Sequence, residues 1–250
     1  MPTDTDTDTD TATATATATA IKHNIERARQ RIAVAEEKYG RPPGSVELLA
    51  VSKTQPATSI LAALEQQQYH FGENYLQEAL DKIDTLKKHP IIWHYIGSIQ
   101  SNKTRPIAEQ FNWVHSVSSL KVAKRLSAQR PESLPTLNIC LQFNVSNEAS
   151  KSGATLEELS ILAEEISELP HIKLRGLMAI PQKSENLDQQ RVIFHRVKQA
   201  QQHLIDAGHP LDTLSLGMSA DLEAAIAEGS TMVRIGTAIF GPRQTAPRLD

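Results

Sequence analysis

The residue best placed for chemistry in this chain is Lys53, which directly follows the apolar run Leu48–Ser52. A lysine at the end of a buried strand is partly desolvated, and desolvation favours the neutral, nucleophilic amine over the ammonium form. A neutral amine can form a Schiff base with an aldehyde. The alternative at this position is an ordinary solvated loop lysine. The residue types therefore predict carbonyl chemistry at Lys53, provided that the chain builds a pocket around it.

A second group of candidates lies in the segments LSLGMSAD and VRIGTAIFG near the C-terminus. Ser219 is predicted to cap a short helix over Ala220–Glu228, whose free N–H groups and positive dipole end attract anions. Gly236 and Thr237 offer an exposed backbone N–H and a hydroxyl. The alternatives are an ordinary N-cap at Ser219 and a packing glycine at Gly236. Together the two loops predict a phosphate site.

Arg234 is the third candidate, because it interrupts the apolar stretch MVRIG. An arginine inside a buried strand needs an acceptor, which is either a carboxylate of the protein or an atom of a ligand. The sequence leaves both readings open.

The elements that must position these residues are short apolar runs separated by helical patterns. The runs are Leu48–Ser52, Tyr69–Gly72, Ile91–Ile99, Trp113–Val117, Leu137–Asn144, Leu174–Ile180, Leu214–Met218 and Met232–Ile235. They are continuous rather than alternating, which is typical of buried parallel strands. Thr155 and Glu158 form a predicted capping box at the start of one intervening helix. Eight strands alternating with helices, preceded by a helix from Ile21, predict a (β/α)₈ TIM barrel; an open doubly wound sheet is the alternative.

In a barrel, functional residues follow the strands at the C-terminal face. We call the opening of the barrel at this face the mouth. The rule predicts that residues at or after the ends of the first three strands line it. They are Lys53, Glu73, Asn74, His94, Gln100, Asn102 and Lys103. The later strands contribute the two loops and the arginine described above.

Residues 1–20 are a Thr-Asp and Thr-Ala repeat, and we expect a disordered tail because the repeat has no aromatic or branched aliphatic side chain. Residues 21–243 are then a single barrel domain and residues 244–250 a C-terminal tail. The repeat lacks the features of a secretory or transit peptide, and no apolar stretch is long enough to span a membrane. We therefore expect a cytoplasmic protein.

Composition narrows the classes of partner. Four of the 29 acidic residues lie in the repeat, which leaves 25 acidic against 26 basic residues in the rest of the chain. The nearly neutral net charge of residues 21–250 argues against a nucleic-acid-binding surface, which normally has a clear excess of basic residues. The only cysteine, Cys140, excludes an internal disulfide and a cysteine-based metal site, and we interpret it as a small buried hydrophobe.

Six motifs in this order carry a resemblance to a known family. They are AVSKT, FGENYLQE, WHYIGSIQSNK, RGLMAI, GMSADLEAAI and VRIGTAIFG. The chain resembles the pyridoxal phosphate homeostasis protein family from Ile21 to Gly241. That family consists of small barrels of fold type III that bind pyridoxal 5′-phosphate (PLP) and are related to the N-terminal domain of alanine racemase.

The resemblance implies roles for individual residues. Lys53 matches the Schiff-base lysine of the family, and Arg234 matches the residue that faces the pyridine nitrogen. The phosphate cradle matches Ser219, Gly236 and Thr237. The residues that match the lining of the cofactor pocket are Asn74 and Met218.

Three functions follow from the resemblance and the residues. The first is a PLP-binding protein that takes part in vitamin B6 homeostasis and could deliver PLP to apo-enzymes. The second is an amino-acid racemase-like PLP enzyme, which needs two acid/base groups on opposite faces of the cofactor. In alanine racemase a second subunit and a C-terminal domain complete the site, and no such domain is expected here. We therefore favour a monomeric carrier without catalytic residues; an aldolase using Lys53 without PLP is the third possibility.

Overall fold

The protein folds into a closed barrel of eight parallel strands. The structure, a computed structural model, describes residues 5–146, 153–182 and 184–242. The strands are β1 (Glu47–Val51), β2 (His70–Glu73), β3 (Ile92–Tyr95), β4 (Trp113–Val117), β5 (Leu137–Gln142), β6 (Ile172–Met178), β7 (Thr213–Ser215) and β8 (Met232–Ile235). Each strand pairs in parallel with the next, and β8 pairs with β1. The prediction of a (β/α)₈ barrel is confirmed, and the alternative prediction of an open doubly wound sheet was wrong.

Helices follow the strands and cover the outside of the barrel. Within the described residues they are α1 (Thr5–Lys38), α2 (Ala57–Leu64), α3 (Leu76–Thr85), α4 (Thr104–Gln110), α5 (Leu120–Gln129), α6 (Leu156–Ser167), α7 (Leu187–Asp206), α8 (Leu222–Ala227) and α9 (Thr237–Phe240). The predicted capping box is confirmed at the start of α6. The Glu158 N–H donates to Thr155 Oγ1 at 3.3 Å, and the Thr155 N–H donates to Glu158 Oε2 at 2.8 Å.

The first helix begins earlier than the sequence predicted. Residues 1–20 were expected to be a disordered tail, whereas α1 begins at Thr5. Ile21, Ile25 and Ile32 are buried and fix the helix against the barrel. Once a helix is nucleated, each added residue costs little, and alanine is the best helix former. This explains how the repeat can extend a helix that is fixed from Ile21 onward. Residues 1–4 and 243–250 lie outside the described residues, and so does the predicted C-terminal tail.

The apolar core has two parts. The large one lies between the barrel and its helices, and a small one comprises the strand residues Trp113, Cys140 and Met178. The prediction that Cys140 is a buried hydrophobe is confirmed, and burial raises the pKa of its thiol to about 12. A thiol with so high a pKa is not a nucleophile at neutral pH.

No helix in the described part of the chain is long and apolar enough to cross a membrane. Among the same residues, no group of histidine, cysteine, aspartate or glutamate side chains could hold a metal ion.

Candidate functional site

The predicted site residues gather at the C-terminal end of the barrel. The strand register sets Ala50 level with Ile235, so Gly236 lies beside Val51, two residues before Lys53 at the same end of the barrel. Asn74 directly follows the neighbouring strand β2. This arrangement follows from the parallel sheet, in which all carboxyl ends of the strands meet at one face.

Lys53 is half-buried in the turn after β1, and the next residue, Thr54, has a φ of 62°. Such a positive φ costs on the order of 1–3 kcal/mol in a β-branched residue and persists only where neighbours hold it. Here the Thr54 N–H donates to Glu78 Oε1 of α3 at 2.6 Å. The backbone beside Lys53 is therefore strained and anchored from outside the barrel.

A buried ionic network fixes the same turn. Lys82 Nζ of α3 donates to the carbonyl oxygen of Ser52 at 2.7 Å, to Glu73 Oε1 at 2.8 Å and to Glu78 Oε1 at 2.5 Å. The Ser52 hydroxyl donates to Glu73 Oε1 at 2.6 Å. Burial raises the pKa of Glu73, and Lys82 offsets this only in part. The network joins β1, β2 and α3, so that the Lys53 backbone is held from two sides.

Glu73 was expected at the mouth, and that prediction was wrong. It is the last residue of β2, but its carboxylate bonds to Lys82 on the outer helix layer and is fully buried. Side chains alternate along a strand, so a residue at a strand end faces either the barrel interior or the helices. The side chain of His70 on β2 contacts His94 of β3 inside the barrel. Glu73 is three residues further along the strand, so its side chain lies on the opposite face, towards the helices.

Three buried oxygen atoms in or next to these turns have no hydrogen-bond partner among the described residues: Thr54 Oγ1, Asn74 Oδ1 and, on the helix side of β2, Glu73 Oε2. A buried polar atom left unpaired costs on the order of 1–3 kcal/mol. Gly97 approaches the same place so closely that a Cβ atom on it would lie 2.1 Å from the Asn74 carbonyl oxygen. The mouth thus presents unsatisfied acceptors where a ligand or water could pair with them.

Arg234 is buried inside β8 and its guanidinium is held by uncharged acceptors. Nη1 donates to the carbonyl oxygen of Ser215 and, at 2.8 Å, to its hydroxyl. Nη2 donates to the Ala179 carbonyl oxygen at 3.0 Å. Burial lowers the pKa of Arg234 to about 10, so the side chain is still charged at neutral pH. Three of the five N–H donors are used in these bonds, which leaves two for a ligand.

The loop after β7 differs from its prediction at Ser219. Helix α8 begins at Leu222 with Asp221 in the cap position, so Ser219 is not the N-cap. The chain makes a turn first, in which the Met218 N–H donates to Asp221 Oδ1 at 2.5 Å. The Asp221 carboxylate closes this turn and makes no cap bond to α8, and the turn leaves Ser219 half-buried before the helix. Arg31 Nη2 of α1 donates to the Ser219 carbonyl oxygen at 2.9 Å and fixes the loop.

Gly236 and Thr237 stand at the start of α9, after β8. The first N–H groups of a helix have no partner within it, so this start can donate to an anion. A Cβ atom at Gly236 would lie 3.3 Å from the carbonyl oxygen of Val51, so a larger residue would crowd β1. Asn24 Nδ2 of α1 donates to the Ile239 carbonyl oxygen at 2.9 Å. Helix α1 therefore donates hydrogen bonds to both segments that were predicted to bind phosphate, the loop after β7 and the segment after β8.

The third strand contributes less to the mouth than expected. His94 was predicted near the rim, whereas it is fully buried within the barrel among other histidines. Gln100, Asn102 and Lys103 are exposed in the loop and 3₁₀ turn that follow β3. Sequence reasoning also missed Thr54, Ser215 and Arg31.

Comparisons with known proteins identify the family of this chain. The family model for the alanine racemase N-terminal domain matches residues 17–244. A pyridoxal phosphate homeostasis protein from Pseudomonas aeruginosa is 56% identical over 89% of this chain and 96% of its own length. The Escherichia coli protein of the same name is 49% identical over 89% and 97%.

Solved structures give the same result. PipY from Synechococcus elongatus, in a structure with PLP bound, is 34% identical with a TM-score of 0.77, covering 88% of this chain and all of PipY. Alanine racemase from Corynebacterium glutamicum shares the fold at 18% identity and a TM-score of 0.67, over 92% of this chain and 63% of the racemase. The chain therefore belongs to the pyridoxal phosphate homeostasis protein family, which is built on the alanine racemase N-terminal barrel.

Proposed function

We propose that this protein binds PLP at the C-terminal mouth of its barrel and carries it as part of vitamin B6 homeostasis, without a catalytic activity of its own. The observation that carries the proposal is the convergence of Lys53, the unsatisfied Asn74 Oδ1 and Arg234 at one end of the barrel. Relatives that match almost end to end bear the name of PLP homeostasis proteins, and PipY has been solved with PLP bound.

The residues present fit the cofactor. We assign the Schiff base to Lys53, whose backbone is anchored by the Glu73, Glu78 and Lys82 network. The Thr54 hydroxyl, which can donate or accept, and Asn74 Oδ1, which accepts, are buried without a partner among the described residues, as expected where a polar ligand or its bound water completes the site.

The phosphate is assigned to the two segments that accept hydrogen bonds from α1. Ser219 supplies a hydroxyl, and Gly236 and Thr237 supply the unpaired N–H groups at the start of α9. Met218 precedes Ser219 in the same half-buried turn and is assigned to the pocket lining.

Arg234 is assigned to the pyridine nitrogen. When bound, PLP supplies a reactive aldehyde and an electron sink for carbanions. A guanidinium can only donate hydrogen bonds, so Arg234 holds that nitrogen unprotonated, and a sink without the added proton is weak. A weak electron sink does not by itself abolish turnover, so the choice between carrier and enzyme depends on a second acid/base group.

A racemase-like enzyme is the alternative. It would need a second acid/base group opposite Lys53. Among the four tyrosines, Tyr75 is the one that directly follows a site residue, and its side chain is 52% exposed. An exposed phenol is poorly placed to exchange protons with a buried carbon. Action in the cytoplasm, a monomeric state and delivery to apo-enzymes stay predictions.

The proposal is tested by adding PLP to the purified protein and then amino acids in deuterated water. We expect a saturable visible absorption band, loss of PLP to an added apo-enzyme, and no α-proton exchange of L-alanine at enzymatic rates. Tyr75→Phe should leave all three results unchanged. Exchange at one turnover per second or faster would establish an enzyme instead, and the absence of any band would refute PLP binding.

A further inference from the structure

Three histidines occupy the interior of the barrel, where branched aliphatic side chains are usual. They are His70 of β2, His94 of β3 and His115 of β4. His94 and His115 have no exposed surface at all. Buried polar groups persist when they are fully hydrogen-bonded, so the three must form an ordered network.

The histidines join Glu47 to Arg234 in a single line of contacts. His70 Nδ1 lies 2.9 Å from His94 Nε2, and His94 Nδ1 lies 2.9 Å from His115 Nε2. At one end, His70 Nε2 is 3.8 Å from Glu47 Oε2, at the start of β1.

At the other end, His115 Nδ1 is 2.9 Å from Ser215 Oγ, which also accepts the bond from Arg234 at 2.8 Å. The line therefore runs from the N-terminal end of the barrel towards its mouth.

The Ser215 end of the line sets the direction of the hydrogen bonds between the rings. Arginine can only donate, so Ser215 Oγ accepts from Arg234. Among the described residues, His115 Nδ1 is the one acceptor within hydrogen-bond distance of that hydroxyl, so we assign its proton to the bond with His115. A neutral imidazole that accepts at Nδ1 donates from Nε2, and the same pattern then repeats at His94 and His70. At the far end, the Glu47 carboxylate is 3.8 Å from His70 Nε2, which is too far for a hydrogen bond but favours a proton on that nitrogen. All three histidines are therefore assigned the Nε2–H tautomer.

The electrostatics agree with a line of neutral rings. Burial lowers the pKa of His94 well below its ordinary value, and it lowers the pKa of His115 to about 3 with help from the Arg234 charge. A protonated His115 would turn Nδ1 into a donor aimed at the Ser215 proton. That would break the bond which orients the hydroxyl towards Arg234.

We propose that Ser215, His115, His94 and His70 form a one-directional hydrogen-bond chain that positions the guanidinium of Arg234 for a ligand at the mouth of the barrel. His115 fixes the rotation of the Ser215 hydroxyl, and the hydroxyl lone pair fixes Nη1 of Arg234. The role of Arg234 towards the ligand rests on the proposed function, whereas the direction of the chain does not.

Two other roles for these histidines fit the geometry less well. A metal site needs convergent ligands, whereas these rings are bonded one after another and the described residues include no group that could hold a metal. A proton path needs a group that releases a proton at its end, and arginine does not do so at neutral pH.

The direction of the chain is tested without any ligand by ¹⁵N NMR of the histidine rings. We expect the Nε2–H tautomer at His70, His94 and His115 at pH 7, with the exposed His89 as an internal reference. Ser215→Ala should release His115 into a mixture of tautomers. A mixture or the Nδ1–H form at His115 in the unaltered protein would overturn the proposal.

The positioning role is tested with PLP itself. Ser215→Ala should weaken PLP binding about tenfold, which corresponds to about 1.4 kcal/mol, and should shift the visible absorption maximum of the bound cofactor. Ser215→Thr keeps the hydroxyl and should restore both.

The matched control is Ser230→Ala, because Ser230 is equally buried and bonds to carbonyl oxygens of the same strands without contacting Arg234. Equal effects of Ser215→Ala and Ser230→Ala would show that Ser215 is only structural. If the unaltered protein does not bind PLP, the proposed function is refuted, and so is the role of Arg234 towards the ligand. The histidine tautomers measured by NMR still show whether the hydrogen-bond chain has the proposed direction.

Discussion

Replacing His115 with asparagine should change how stability depends on pH. His115 is fully buried, and burial together with the charge of Arg234 lowers its pKa to about 3. In the unfolded chain a histidine has a pKa of about 6.5. Between these two values the unfolded chain binds the extra proton, so the stability of the folded state decreases as the pH falls from about 6.5 towards 3.

The size of the effect follows from these two pKa values. From pH 7 to pH 5, a histidine that stays neutral when folded and titrates at about 6.5 when unfolded costs the protein about 2 kcal/mol of stability. His115→Asn removes this contribution, so the variant should lose about 2 kcal/mol less than the unaltered protein over the same interval. Its absolute stability should be lower at both pH values, since the substitution interrupts the buried chain.

Urea unfolding at pH 7 and pH 5, followed by the fluorescence of Trp93 and Trp113, measures both quantities. His89→Asn is the matched control, because His89 is exposed and its removal should leave the pH dependence unchanged. If His115→Asn and the unaltered protein lose the same free energy between the two pH values, His115 is not held neutral and the reasoning is refuted.

Three further predictions concern other parts of the molecule. Lys82→Met leaves the buried Glu73 carboxylate without its cation and should cost about 3–5 kcal/mol in urea unfolding, whereas Lys87→Met removes an exposed ion pair and should cost less than about 1 kcal/mol. Ser219→Glu should weaken PLP binding about tenfold through charge repulsion and leave pyridoxal binding nearly unchanged; equal losses for both ligands would place the phosphate elsewhere. Deleting residues 1–20 should change neither the melting temperature nor the PLP content, since the repeat has no aromatic or branched aliphatic side chain and the buried residues that fix α1 begin at Ile21; a melting temperature lowered by several degrees would show that the repeat packs.

The strands and the position of Lys53 could be predicted because their signals are local. About ten consecutive residues are enough to identify an apolar run bounded by polar residues, and the same residues include the lysine at its end. Ser219 was wrongly predicted as the N-cap because serine favours that position, whereas a turn closed by Asp221 follows it and α8 begins only at Leu222. Local patterns do not show that such a turn precedes the helix.

The support around Arg234 could not be predicted, because it is assembled by contacts between distant segments. His115 and Ser215 are 100 residues apart in sequence and meet only when the barrel closes. The one available signal was a histidine inside each of three consecutive apolar strands. A polar residue repeated on neighbouring strands indicates an interior network, but its partners on β7 and β8 depend on the register.

The covalent attachment of PLP to Lys53 is the central claim, and borohydride reduction followed by peptide mapping tests it most directly. We expect the reduced cofactor on the peptide that contains Lys53, no label in a folded Lys53→Ala variant, and full labelling in the control Lys103→Ala, whose lysine is exposed after β3. Labelling of Lys103 or Lys151 with Lys53 unmodified would contradict the assignment of the site.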